Sequence, residues 1–194
     1  MVEKINEEIV LKKLMEKFGD KILDQEKKWE RFIRIRIKRE DILPVCELLR
    51  DELGFDHVTD VCGTDYVAHF EVIYHFWSYK NHITLEMNVT VPTDDPHIHT
   101  ITYLWGGANW HEREIFDLLG IIFDNHPDLR RILLPEDVEP NYHPLRKEFK
   151  LDESGGEDGK WEIHEWNVKK DRDVTQWKEY KKWLESEKKR VMMR

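Results

Sequence analysis

The chain has 194 residues, of which 37% are charged, against about a quarter in an ordinary globular protein. Forty acidic side chains outnumber 31 basic ones, giving a formal net charge of −9, which argues against a general nucleic-acid binder. No stretch approaches the roughly 20 apolar residues of a membrane-spanning helix, and Glu3, Lys4, Glu7 and Glu8 interrupt any signal-peptide pattern, so a soluble, cytoplasmic chain is expected. Dense Lys and Glu also fit a thermophilic source.

Residues 6–18 read as a helix. Asn6 caps it, Glu7 and Glu8 fill its first turn, Leu11, Leu14, Met15 and Phe18 form its apolar face, and Gly19 stops it. Arg31 to Lys38 alternates cleanly, with Ile33, Ile35 and Ile37 on one side and Arg34, Arg36 and Lys38 on the other. That is a half-buried strand with a basic, solvated outer face. A second helix is expected from Ile42 to Leu53, with Pro44 tolerated in its first turn and Gly54 as its stop. Three strands follow, at His57–Cys62, Ala68–Trp77 and His82–Val91, the last two joined by a hairpin at Ser78–Asn81. A short helical piece is expected near Thr100–Trp105. The order predicts an α+β fold: a mostly antiparallel sheet with helices packed on one face, plus an extended C-terminal tail ending in a helix.

The stretch Asn109–Phe149 organises the rest. Asn109 reads as an N-cap with Glu112 three residues on, in the manner of a capping box, and Gly120 reads as the C′ residue. Ile115, Leu118, Leu119 and Ile122 share a core-facing side. Glu112, Arg113, Glu114 and Asp117 crowd the polar side. Arg113 and Asp117 stand in the weaker i,i+4 order, and Asp117 sits at the negative end of the helix dipole, so these charges are expected to find partners outside their own helix. Arg130, Arg131, Arg146 and Lys147 follow in a loop stiffened by Pro127, Pro135, Pro140 and Pro144.

These pieces resemble the signature of the NuoC-type subunit of respiratory complex I and of the related membrane-bound nickel–iron hydrogenases. The matching residues are Glu112-Arg113-Glu114, Asp117-Leu118, Gly120, Phe123, His126-Pro127-Asp128-Leu129-Arg130-Arg131 and Pro144-Leu145-Arg146-Lys147. Asn125 departs from the pattern, standing where family members often carry glycine; asparagine tolerates similar backbone angles. The resemblance implies a non-catalytic structural subunit without a cofactor of its own, peripheral on the cytoplasmic side of the membrane. Iron–sulfur clusters, and a nickel–iron centre in a hydrogenase, would belong to partner subunits. The implied partners are the hydrogenase-like large subunit (NuoD-type) and the small iron–sulfur subunit (NuoB-type). The implied contact residues are Glu112, Arg113, Glu114, Asp117, His126, Arg130, Arg131, Arg146 and Lys147.

Residues 1–149 are expected to form the NuoC-like domain, and 150–194 a linker and partner-docking tail. LDESGGEDGK reads as the linker. Trp161, Trp166, Trp177 and Trp183 are four of the eight tryptophans, and large aromatics typically anchor interfaces. Trp161, Trp166 and Trp177 therefore join the expected contact set, and Thr175–Val191 reads as the closing helix.

A second reading is an independent metal-dependent hydrolase using His97, His99 and His111. His111-Glu112 begins an H-E-x-x-H pattern, but Ile115 takes the place of the second histidine. Cys46 and Cys62 form no C-x-x-C pair and read as inert buried thiols, and no phosphate loop or dinucleotide fingerprint is present.

Overall fold

The computed structural model describes residues 5–149. The expected linker, the closing helix and the tail tryptophans lie outside these residues. The first helix, α1 (Glu7–Phe18), is capped as expected, Asn6 Oδ1 accepting the Ile9 N–H at 2.9 Å. Its buried stripe is Val10, Leu14 and Phe18, with Met15 turned outward.

Five strands form the main sheet: β1 (Ile22–Trp29), β2 (Phe32–Lys38), β3 (His57–Asp65), β4 (His69–Ser78) and β5 (Ile83–Pro92). Their spatial order is β1-β2-β5-β4-β3. The pairings are antiparallel except for β2 with β5, which run parallel at the centre. The second helix, α2 (Ile42–Asp51), carries the chain away from β2 and starts the excursion that ends at β5. The sequence-based expectation omits β1, whose residues ILDQEKKW are exposed along most of their length. An edge strand with little apolar surface to bury loses the alternation that betrays a strand.

The register aligns one continuous apolar face. Ile33, Ile35 and Ile37 stand beside Leu85, Met87 and Val89, and these in turn beside Phe76, Tyr74 and Val72. The apolar residues of all three helices join this cluster, so the α+β class read from the sequence is the observed one. On the outer face the basic row is paired rather than freely solvated: Arg34 meets Glu86 at 2.5 Å and Arg36 meets Glu71 at 3.2 Å.

Two short strands, β6 (His97–His99) and β7 (Ile122–Asp124), pair in parallel on either side of α3 (Ala108–Leu119) in the chain. The expected helical piece at Thr100–Trp105 is a run of turns. The third helix seats on β3 at Gly63. A Cβ there would stand 2.6 Å from Leu119 Cδ1 and 3.1 Å from Ile115 Cγ2, so the missing side chain lets the helix approach.

A charged helix and the loop that closes on it

The N-terminal cap of α3 differs from expectation. Gly107 is the cap residue and Asn109 lies inside the first turn. Bonds from the Leu104 and Trp105 amides to Ile101 O, and from the Ala108 amide to Trp105 O, wind the preceding turn straight into the helix. Glu112 therefore does not fold back on Asn109. Its side chain is fully buried; Oε1 accepts the Ile101 N–H at 2.9 Å and Oε2 shares a hydrogen bond with the Thr100 hydroxyl. Burial pushes its carboxyl up to about 7, and the bonds to Thr100 and Ile101 only partly oppose this.

One and a half turns later, Asp117 is also fully buried but richly bonded. Oδ2 accepts the N–H groups of Ile132, Leu133 and Leu134 at 3.1, 2.8 and 2.8 Å, and Oδ1 accepts Arg131 Nη1 at 2.8 Å. Burial alone would raise this carboxyl. The Leu134 amide, the Arg131 guanidinium and the Leu133 and Ile132 amides outweigh burial and hold it below the usual carboxylate range.

Arg131 then gathers the loop. It donates to the carbonyls of Tyr142, Glu139 and Pro140 at 3.2, 2.9 and 3.0 Å. Arg113 grips the same loop from the helix, donating to Arg130 O at 3.0 Å and Arg131 O at 3.1 Å beneath the ring of Trp110. So Arg113 and Asp117 each pair with the loop and not with one another.

The loop also caps the helix. Gly120 adopts φ +73° at the helix end, as a C′ glycine should. The last carbonyls of α3 would otherwise lack partners. Asp117 O takes the His143 Nδ1–H at 3.0 Å, Leu118 O takes the Leu145 amide at 3.1 Å, and Leu119 O takes Arg146 Nε at 2.7 Å. Arg146 stacks on Phe70 of β4, and the Lys147 amide donates to Asp65 at the end of β3 at 2.7 Å. Asn125, which replaces the family's frequent glycine, sits at φ +62°, the region asparagine tolerates best after glycine.

The expected contact residues thus divide by where they point. Glu112, Arg113, Asp117 and the His126 imidazole are buried, while Arg131 and Arg146 are mostly covered. Glu114, Arg130 and Lys147 face solvent. The helix, its loop and the turn before the helix expose large apolar side chains absent from the sequence-based set: Tyr103 at 67%, Trp110 at 62%, Leu133 at 59% and Leu145 at 57%, with Tyr142 also exposed in the loop. The signal was present in Trp110, an aromatic on the polar side of an amphipathic helix.

The three histidines of the hydrolase reading are engaged separately. His97 Nδ1 lies 2.9 Å from Asp124 and His99 Nε2 lies 2.9 Å from the Asn125 amide, whereas His111 turns to Asp60 of β3 at 3.4 Å. Among the described residues no group of three or more His, Cys, Asp or Glu side chains is arranged to hold a metal ion.

The family model described as "Respiratory-chain NADH dehydrogenase, 30 Kd subunit" matches residues 35–155, from β2 through the loop that closes on α3. The chain belongs to this family. It is 40% identical to the C-subunit of the NADH-quinone oxidoreductase of Geobacter metallireducens over 149 residues, 75% of this chain and 90% of that protein. It is 38% identical to the C-subunit of the F(420)H(2) dehydrogenase of Methanosarcina mazei over 119 residues, 60% of this chain and 75% of that one. A trypsin-resistant fragment of Nqo5 superposes with a TM-score of 0.53 at 30% identity, covering 62% of this chain and 99% of the fragment. A chain of the membrane-bound sulfane sulfur reductase, an archaeal respiratory membrane complex, shares the fold with a TM-score of 0.69 at 18% identity, covering 86% of this chain and 98% of that chain. As a 30 Kd-type subunit, the protein takes its place in a complex I-like oxidoreductase. None of its described helices is long and apolar enough to cross a membrane.

Proposed function

We propose that this chain is a non-catalytic structural and assembly subunit in the peripheral arm of a membrane-bound, ion-pumping redox complex. It docks on the hydrogenase-like large subunit (NuoD-type), next to the small iron–sulfur subunit (NuoB-type). Iron–sulfur clusters, and a nickel–iron centre where the complex is a hydrogenase, sit on those partners. The chain joins the membrane only through them, on its cytoplasmic side.

One observation carries this reading. The charges of α3 and its loop are largely used up inside the chain, while the same segments leave Trp110, Leu133 and Leu145 in water, and the turn before the helix exposes Tyr103. Exposed apolar anchors together with exposed charges such as Glu114, Arg130 and Lys147 have the composition of a docking surface. The inward-facing members of the expected contact set act indirectly, by holding the loop that presents these anchors. Trp161, Trp166 and Trp177 extend the contact.

The test is a tagged pull-down from gently solubilised native membranes, with partners identified by mass spectrometry. Wild-type chain should recover a hydrogenase-like large subunit. A Trp110→Ser, Leu133→Ser double variant should recover about tenfold less, since each tenfold corresponds to about 1.4 kcal/mol. It should melt within a few degrees of wild type, because both side chains are exposed. Undiminished recovery would overturn this face as the contact.

A further inference from the structure

Beneath the docking loop lies a pair of ionisable side chains whose proton chemistry the docking reading does not use. His126 opens the loop, and its imidazole and the Glu112 carboxylate are both fully shielded from solvent, with His126 Nε2 3.8 Å from Glu112 Oε2. The other ring nitrogen fixes the tautomer. Nδ1 accepts the Asp128 N–H at 3.0 Å, so a neutral ring carries its proton on Nε2. That proton has two acceptors within reach, the Asn109 carbonyl at 3.4 Å and the Glu112 carboxyl. Neither contact is a short hydrogen bond, so the ring stands between two seats.

We infer that Glu112 and His126 form a proton-sensitive latch: loss of the Glu112 proton to solvent draws the His126 Nε2–H from the Asn109 carbonyl to the carboxylate and re-seats the start of the loop. A neutral Glu112 can donate to Thr100, whose hydroxyl in turn can donate to Thr102 at 2.9 Å, leaving His126 on the Asn109 carbonyl. An ionised Glu112 is a buried anion with only Thr100 and Ile101 as donors, and such a group needs a further one. His126 is the donor to hand. It moves without taking a second proton, because protonating Nδ1 would cost the Asp128 bond.

The surrounding groups leave Glu112 as the one that titrates near neutrality. Cys46 of α2 and Tyr74 of β4 feel its charge, but burial pushes both well above their ordinary values and keeps them neutral. The Tyr74 hydroxyl is buried without a hydrogen-bond partner. Around His126, burial lowers the imidazole; the Asn109 carbonyl and Asp128 favour its charged form, and Arg113 of α3 disfavours it. Burial therefore acts in opposite directions on the two groups, raising Glu112 to about 7 and lowering His126. The inference rests on this buried geometry and stands apart from any partner.

Nuclear magnetic resonance on the full chain between pH 5 and 9 tests it. The Glu112 carboxyl carbon, the His126 Nε2–H and the Asp128 amide should move together with one midpoint near 7. Nδ1 should keep the nitrogen shift of an unprotonated ring through that midpoint. In Glu112→Gln the His126 and Asp128 transitions at that midpoint should vanish. A Glu112 carboxyl that does not titrate in this range, a His126 Nδ1 that gains a proton at the same midpoint, or transitions that survive at that midpoint in Glu112→Gln would each overturn the latch. If Glu112→Gln fails to fold, the presence or absence of a shared midpoint in wild type decides alone.

Discussion

Two carboxylates on one helix show how environment sets the behaviour of identical chemistry. Asp117 meets three amides and a guanidinium, whereas Glu112 meets one amide and one hydroxyl. Their shifts run in opposite directions. The Glu112 carboxyl lies higher in the folded than in the unfolded chain. The folded state therefore holds that proton more tightly, and the associated stability is fully present below about pH 4.5. It is lost as pH rises through about 7, by a total on the order of 3 kcal/mol. Asp117 behaves in the opposite sense: its stabilisation is present above the unfolded value and is lost as pH falls through the lowered folded one. Glu112→Gln keeps an acceptor for Ile101 and a donor for Thr100 while removing the charge. Its melting temperature relative to wild type should therefore rise with pH, from near parity at pH 5 to several degrees above wild type at pH 8, measured by thermal denaturation. A difference that is flat with pH would mean that Glu112 does not carry the shift. The sequence made both residues legible as charges needing partners beyond their helix. It did not reveal that those partners were mostly backbone amides of the same chain, because amides carry no residue signature.

At the scale of elements, legibility followed apolar periodicity. The strands β2, β4 and β5 carry dense apolar rows, α1 has a cap and a stop, and α2 has an apolar stripe ahead of a glycine, so all were placed within a few residues. The edge strand β1 has one buried residue in eight and gave no such signal. The strands β6 and β7 span three residues each, too short for a period, and exist because α3 brings their segments side by side. The parallel pairing of β2 with β5 depends on how the chain returns after α2, which local pattern does not encode. The glycine stop at 120 was legible, but its second role was not. A Cβ at Gly120 would stand 2.5 Å from both Arg146 Nη2 and His143 Nε2, on the two side chains that cap the helix carbonyls. Gly120→Ala adds this clash to the roughly 1–2 kcal/mol of left-handed strain. It should lower stability by about 2–4 kcal/mol in denaturant titration. It should also speed hydrogen exchange at the Leu145 amide, which is bonded to Leu118 O, ahead of exchange in the β4–β5 ladder. Equal protection at Leu145 in both proteins would show that the loop does not depend on the close approach.

Across the whole molecule, the loop divides stability from assembly, and two substitutions separate them. Asp117→Asn keeps the shape but removes the charge that holds Arg131 and faces three loop amides with an amide group that itself donates. Breaking such a buried pair costs about 3 kcal/mol, so the free subunit should melt well below wild type. Arg130 is different: its guanidinium is 63% exposed and reaches only the exposed Asp128 at 2.9 Å. Its carbonyl, which does hold Arg113, belongs to the backbone and survives truncation. Arg130→Ala should therefore leave the stability of the free subunit within about 0.5 kcal/mol of wild type. Recovery of the large subunit in the pull-down should nonetheless fall, because a rim charge chiefly governs association. Raising salt should shrink the difference between Arg130→Ala and wild type, since exposed charges are screened beyond roughly 8 Å at physiological ionic strength. The opposite pattern, a melting loss with normal recovery, would place Arg130 among the residues that hold the loop and remove it from the contact.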